Sequence, residues 1–314
     1  MVAPKKTVLI TGGAGFIGSH LAERCLSADY RVLVIDDLST GRLQNIQKGV
    51  TFLHSNICDS SIIDIFQKEQ PDIVFHLAAQ ISLQKSLRNP MEDAKSNTLG
   101  TINLLHAAKT VGVDKFIYSS TGGALYGEPE YSPCDENHPI RPLSPYGQSK
   151  YFGEQYLELY SRLFRLNYVS LRYANVYGPR QDPQGEAGVI GIFANNMLDK
   201  RTPQIFGDGT QTRDFIYVSD VVNANMLAIS DRASGAYNIG TGIETSVISM
   251  YRELSKIFHF KKEPYYLPAR TSEVSNISLD STKALTDMGW KPEVEFQIGL
   301  GNTAEFIRNN RNAN

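Results

Sequence analysis

Short, unbroken apolar runs alternate with longer amphipathic stretches through the first half of the 314-residue chain. The runs "TVLI" (7–10), "RVLVID" (31–36), "TFLHS" (51–55), "DIVFHLA" (72–78), "KFIYSS" (115–120) and "YVSLRY" (168–173) read as strands. The stretches 16–28, 60–69, 92–112 and 146–165 read as helices, and in the last Phe152, Tyr156, Leu159 and Leu163 share one face. Strands alternating with helices predict a parallel sheet, because a parallel crossover is long enough only when a helix fills it. Strands apolar at nearly every position predict burial on both faces. The expected fold class is therefore α/β: a Rossmann-type doubly wound parallel sheet joined to a smaller α/β domain.

After about residue 176 the pattern changes. "YGPRQDPQGEAG" is polar and rich in Pro and Gly, and the sequence beyond it is less regular. Two later runs, "RDFIYVSD" and "AYNIG", are expected to return to the main sheet. That divides the chain into a first domain, 1–176 plus about 214–240, and a second, about 177–213 and 241–314.

Composition narrows the class. A formal net charge of −2 lacks the basic excess of a nucleic-acid binder. No run of about 18 apolar residues is present, so no membrane span is expected. The opening "MVAPKK" runs straight into a strand without an apolar leader core. Cys25, Cys58 and Cys134 are odd in number and far apart, as free thiols in a reducing, cytoplasmic compartment would be. The histidines show no ligand spacing, so no metal is expected.

Chemistry first shows in "TGGAGFIGSH" (11–20), directly after the first strand. Glycines at the start of a helix aim backbone N–H groups and the positive end of the helix dipole at an anion. Gly12 would allow the tight turn, Gly15 the approach of a pyrophosphate, and Gly18 the packing of helix on strand. The acidic partner for a ribose hydroxyl belongs at the end of the second strand, where Asp36 and Asp37 stand. Two carboxylates there favour NAD over NADP, whose 2′-phosphate they would repel.

The TGxxGxxG spacing, with "DDLSTG" (36–41), "HLAA" (76–79), "SST" (119–121), "YGQSK" (146–150) and "LRYANVYGPR" (171–180), resembles the extended short-chain dehydrogenase/reductase superfamily. Within it the chain is most similar to the UDP-glucose 4-epimerases of bacterial and archaeal type. The resemblance implies a first domain that binds NAD and a second that binds a nucleotide sugar. It places Tyr146 and Lys150 in catalysis, with the Thr121 hydroxyl bridging substrate and tyrosine; Ser120 is the alternative. Residues i and i+4 share a helix face, and an ammonium at Lys150 would favour the phenolate of Tyr146. Lys150 would also reach the nicotinamide ribose.

By the same resemblance Phe16, Ile17, Leu38, Ser39, Thr40 and Gly41 line the dinucleotide, and Asn56 and Ile57 lie near its adenine. Leu77, Ala78, Ala79, Gln80, Asn97, Ser119, Ser120 and Ala174 complete the cofactor set, while His76 is expected to be a packed strand residue. On the substrate side, Arg213 and Arg270 match the arginines that grip a diphosphate, a task suited to their forked geometry. Glu273 would take the ribose, Gln204, Ile205 and Phe206 the uracil, and Asn175 the sugar-phosphate region. Val189 would border the sugar, and Ile277 falls where the family tunes pocket size. A homodimer through helices 92–112 and 146–165 is also implied.

The activity implied is NAD-dependent inversion of C4 in a UDP-hexose. Alternatives are a UDP-N-acetylglucosamine 4-epimerase, a UDP-glucuronate epimerase or decarboxylase with Arg180 on the carboxylate, and a non-catalytic NAD-binding sensor or scaffold. Nucleotide-sugar 4,6-dehydratases carry an Asp-Glu pair where this chain has Gly122 and Gly123.

Overall fold

The computed structural model describes residues 5–182, 188–270 and 274–312. Its strands in chain order are β1 (Thr7–Thr11), β2 (Arg31–Asp36), β3 (Thr51–His54), β4 (Ile73–His76), β5 (Lys115–Thr121), β6 (Tyr168–Tyr173), β7 (Asn175–Tyr177), β8 (Gln204–Phe206), β9 (Thr212–Tyr217), β10 (Gly235–Ile239), β11 (Glu244–Ser246) and β12 (Tyr265–Leu267). Seven of them form a wholly parallel sheet in the order β10-β6-β5-β4-β1-β2-β3. The six strands expected in the first half are all there, within a few residues of the predicted limits.

Both faces of this sheet are covered, which is why its central strands are apolar at most positions. Every residue of β1 and β4 is buried. Side chains alternate between two cores. Val8, Ile10, Val34 and Phe75 join Leu21, Ala22 and Cys25 of the helix Phe16–Ser27. Leu9, Leu33, Val74 and Phe116 join Leu104, Leu105 and Leu157, from the helices Gly100–Val111 and Pro145–Phe164.

The chain runs outward from β1 to β3, then jumps back across β1 to β4. The order therefore reverses between β1 and β4, and the crevice at the carboxyl ends of such a pair is where open α/β sheets take ligands. The register aligns those ends, with Thr11 opposite His76 and Thr11 opposite Ile35.

The structure corrects three expectations. "RDFIYVSD" does not return to the main sheet: β9 lies between β7 and β11 in a separate three-stranded sheet, and a helix, Val218–Leu227, begins at once behind it. The cause is divided burial, since Phe215 enters the core of the second half while Ile216 enters that of the main sheet. "AYNIG" does return, as edge strand β10. The predicted helix 92–112 is interrupted: Pro90–Ala94 passes through a π-helical turn, Lys95–Leu99, before Gly100–Val111. Finally, the apolar stripe of Pro145–Phe164 is split, with Tyr156 half-buried against the core. Phe152 and Leu163 are exposed, whereas Lys150, Glu154 and Leu157 face inward.

Candidate active site

The glycine turn has the geometry its spacing predicts. Gly12 has φ +71°, and a Cβ there would lie 2.7 Å from the Ala78 nitrogen, so the loops after β1 and β4 meet at the reversal point. A Cβ on Gly18 would come within 2.2 Å of the Gly12 oxygen, which only glycine avoids. At Gly15 the nearest atom to an added Cβ is the Gly12 oxygen at 3.2 Å. The helix Phe16–Ser27 has Gly15 as its cap residue and no capping side chain. Its first N–H groups, which an internal partner cannot satisfy, are therefore available to an anion. A dinucleotide pyrophosphate fits this cradle. Phe16 and Ile17 are half-buried against the core.

Asp36 closes β2 as a buried residue. Its carboxylate accepts hydrogen bonds from the backbone N–H groups of Ala14 and Leu38, both at 2.9 Å, and burial raises its pKa against them. It thus fixes the glycine turn. Gly41 is needed beside it, since a Cβ would lie 2.6 Å from Asp36 Oδ1. Asp37 accepts from Ser39 N–H and, at 2.8 Å, from the Asn56 amide. Leu38 takes a left-handed φ of 57° in this loop, and Thr40 is exposed. Ile57 is buried in the core.

Leu77, Ala78, Ala79 and Gln80 form the half-buried loop after β4. Asn97 does not point freely at a cofactor. Its amide accepts from Gln80 N–H at 2.8 Å and donates to the Gln80 carbonyl at 2.9 Å, so it braces that loop from the π-turn. His76 is packed, as expected. Its ring lies between the Thr11 and Thr101 hydroxyls at 2.8 and 2.9 Å, and burial keeps it neutral.

Tyr146 and Lys150 lie near the start of the helix Pro145–Phe164. Ser144 caps it by accepting from Gly147 N–H at 3.1 Å, with proline at its first position. The Thr121 side chain, at the end of β5, lies near enough to the Tyr146 phenol to favour its ionised form. Ser120 Oγ is buried and has no hydrogen-bond partner among the described residues. Of the two hydroxyls left open by the sequence, Thr121 is therefore the one beside Tyr146.

One electrostatic expectation is reversed. Burial first, and Asp93 second, raise the Tyr146 pKa; only the Thr121 side chain opposes them. Burial also pulls Lys150 down to about 7, against the charges of Glu154 and Asp93. Its ammonium sits 4.2 Å above the Tyr118 ring. In the protein alone, desolvation therefore outweighs the pairing that the four-residue spacing suggested.

Toward the second half, Asn175 is exposed and its Oδ1 lies 3.5 Å from where Gly123 would carry a Cβ. Ala174 is buried, and Val189 opens the helix Val189–Leu198. In β8 Ile205 is buried and Phe206 half-buried, with the Arg270 guanidinium 3.7 Å from the Phe206 ring centre. Gln204 is exposed, and Arg213 donates to the Thr212 carbonyl at 2.7 Å. Ile277 is fully packed in the core, not open to a pocket. Arg180 is committed to Glu23 at 2.6 Å and Ser19 at 3.2 Å. Glu273 lies outside the described residues. Asp93, Ser149 and Glu154 went unnoticed in the sequence, although Glu154 continues the four-residue spacing of Tyr146 and Lys150.

Comparisons with known proteins agree with this geometry. Residues 8–240 match the model of the NAD dependent epimerase/dehydratase family. A UDP-glucose 4-epimerase of Mycolicibacterium smegmatis is 41% identical over 307 residues, covering 96% of this chain and 98% of that protein. The crystal structure of a UDP-glucose 4-epimerase with UDP-glucose from Thermotoga maritima superposes with a TM-score of 0.96 at 46% identity, covering 97% and 99% of the two chains. That of a UDP-glucose 4-epimerase from Thermus thermophilus with NAD gives 0.92 at 40% identity, covering 96% and 99%.

Proposed function

The chain belongs to the NAD-dependent epimerase/dehydratase family, and we propose that it inverts C4 of a UDP-hexose, interconverting UDP-glucose and UDP-galactose with NAD as its cofactor. The observation that supports this reading is the buried Tyr146 near Thr121 with Lys150 one helical turn further, in a fold whose first helix is opened by an uncapped glycine turn. When bound, NAD supplies the hydride acceptor for C4 and, in its oxidised form, a positive charge within the site.

The protein's own residues manage protons and position. Tyr146 takes the proton of the 4-hydroxyl, Thr121 carries the hydrogen bond between that hydroxyl and the phenol, and the Lys150 ammonium favours the phenolate. Tyr146 then returns the proton once the 4-keto sugar has presented its opposite face. Turning the sugar requires a firm hold on the diphosphate, a task this reading gives to Arg213 and Arg270, and a loose one on the hexose. In this reading Gln204, Ile205 and Phe206 hold the uracil, chiefly through main chain and ring, Glu273 the ribose, and Asn175 and Val189 the sugar side.

Two observations set rivals aside. Gly122 and Gly123 stand where a dehydratase carries its two acids, and Leu279 fills the space beside Gly122, its Cδ1 lying 2.4 Å from where a Cβ would be. Arg180 is held by Glu23, which removes the cation suggested for a glucuronate carboxylate. Incubation with UDP-glucose, UDP-N-acetylglucosamine and UDP-glucuronate in turn, with products separated by chromatography, is expected to give UDP-galactose from the first as the fastest conversion. Turnover of UDP-glucuronate alone would overturn the substrate but not the mechanism; no turnover of any sugar would favour a sensor.

We read the protein as a cytoplasmic homodimer. The outward faces of Pro90–Val111 and Pro145–Phe164 expose Met91, Leu99, Phe152 and Leu163, a patch that a second copy of the same helices would cover. Light scattering should return twice the mass of the chain, and the double substitution Met91→Lys, Phe152→Lys should return the single mass. A wild-type monomer would overturn this part of the reading.

A further inference from the structure

Beneath Tyr146 and Lys150 lies a carboxylate that the proposed proton transfers do not use. Asp93 is 1% exposed and sits on the short helix Pro90–Ala94, just before the π-turn. Three neutral donors converge on it: Ser149 Oγ at 2.7 Å, Gln80 Nε2 at 2.8 Å and Asn97 Nδ2 at 3.1 Å. These partners are not arbitrary. Ser149 immediately precedes Lys150 on the main helix, and Gln80 belongs to the loop after β4 at the mouth of the crevice. Asn97 grips the backbone of that same loop. A buried carboxylate is costly to desolvate, and three neutral hydrogen bonds compensate it only in part. Lys150 is the buried cation nearby that feels its charge.

We propose that Asp93 is a positioning residue for the Tyr146–Lys150 pair, tying the catalytic helix to the cofactor loop and supplying negative charge that keeps Lys150 an ammonium ion. This rests on the catalytic roles proposed for Tyr146 and Lys150. The groups facing Lys150 are few. Glu154 stands on its own helix and is shared with Arg172, the Tyr118 ring approaches from β5, neutral His76 from β4, and Asp93 from Pro90–Ala94. Glu154 is thus already engaged by a guanidinium, which leaves Asp93 as the carboxylate free of a cationic partner of its own among the described residues. The same charge disfavours the phenolate of Tyr146. Asp93 therefore raises both titrations together, setting the pH at which proton acceptor and ammonium coexist.

The test is the Asp93→Asn variant, read first without turnover. The Lys150 Nζ resonance, assigned by its loss in Lys150→Arg, is titrated by NMR in the purified full-length protein. Removing a nearby negative charge destabilises the ammonium, so the midpoint should fall by roughly one pH unit. Both limbs of the kcat profile should move to lower pH, because the phenol titrates lower as well. A purely structural role would lower the rate without moving either midpoint. Ser149→Ala guards against a misfolded variant: it cuts the tie but keeps the charge, so the Lys150 midpoint should stay within about 0.3 unit. An unmoved midpoint in Asp93→Asn, or a shift in Ser149→Ala as large as a full unit, would overturn the proposal. Failure of the catalytic reading itself would show separately, as activity surviving the loss of the Tyr146 hydroxyl.

Discussion

Replacing Tyr146 by phenylalanine is expected to lower kcat by about 10²–10⁴-fold while UDP-sugar binding persists. The phenol is the group within reach of the Thr121 hydroxyl that can accept and return a proton. Phenylalanine keeps the ring and its packing, so the cleft, the glycine turn and the basic residues of the second half should be undisturbed. On the proposed reading, binding is held remotely from the reacting carbon, by the diphosphate and uracil contacts. The expected signature is a fall in kcat with little change in the dissociation constant of UDP, which separates a lost chemical group from a lost site. The comparison is made by single-turnover kinetics beside calorimetric titration with UDP. A variant that turns over within a factor of three of the wild type would remove Tyr146 from the mechanism.

The raised phenol pKa sharpens that expectation. Burial and the charge of Asp93 both oppose ionisation, so Tyr146 in the protein alone is a reluctant base at neutral pH. The chain has placed the pair where charge is expensive, and a positively charged cofactor ring is what such a site lacks. This ordering is useful to an enzyme that must not abstract protons idly. In the proposed mechanism a bound cationic ring would lower the phenol pKa and so populate the phenolate only when the hydride acceptor is present.

Elements and residues whose requirement is local were legible in the sequence. The glycine turn could be read because φ at Gly12 and the approach at Gly18 admit no other residue. Asp36 could be read because its place is set by strand length alone. The strands of the main sheet announced themselves through burial on both faces, which leaves no polar alternation. What stayed hidden depends on packing at a distance. β9 has the composition of a main-sheet strand, yet its two apolar neighbours Phe215 and Ile216 serve different cores. The apolar stripe of Pro145–Phe164 does not mark the most buried face of that helix, which carries Ser149, Lys150 and Glu154 instead, while Phe152 and Leu163 are exposed. Asp93 and Glu154 resembled ordinary solvated charges. Only the spacing of four from Lys150 to Glu154, and from Asp93 to Asn97, hinted that each pair shares an inward face. Ile277 misled in the opposite sense, since matching a pocket position by motif says nothing about which way the side chain turns.

Substituting Glu154 by glutamine should destabilise the protein by about 3–5 kcal/mol, the cost of leaving a buried guanidinium without its partner. Arg172 donates to Glu154 through Nε at 3.1 Å and Nη2 at 2.8 Å, and the two side chains are 6% and 8% exposed. Ser170 donates to the same carboxylate at 2.8 Å, and Arg172 donates onward to the Tyr126 hydroxyl at 3.0 Å. Glutamine preserves the volume, so no cavity confuses the measurement. It removes the charge and turns an acceptor oxygen into an N–H₂ that faces other donors. The loss is read from the urea dependence of unfolding at constant slope. The double variant Glu154→Leu, Arg172→Met removes both charges and should recover most of that stability, because a well-packed apolar pair avoids the desolvation altogether. Recovery of stability need not restore turnover. Glu154 is the foremost charge opposing the desolvation of Lys150, so without it the ammonium should be lost at lower pH even in a protein that folds well. A stable double variant with a depleted rate at neutral pH would show that the buried pair is kept for the lysine above it. A single variant within about 1 kcal/mol of wild type would show that Arg172 finds compensation elsewhere.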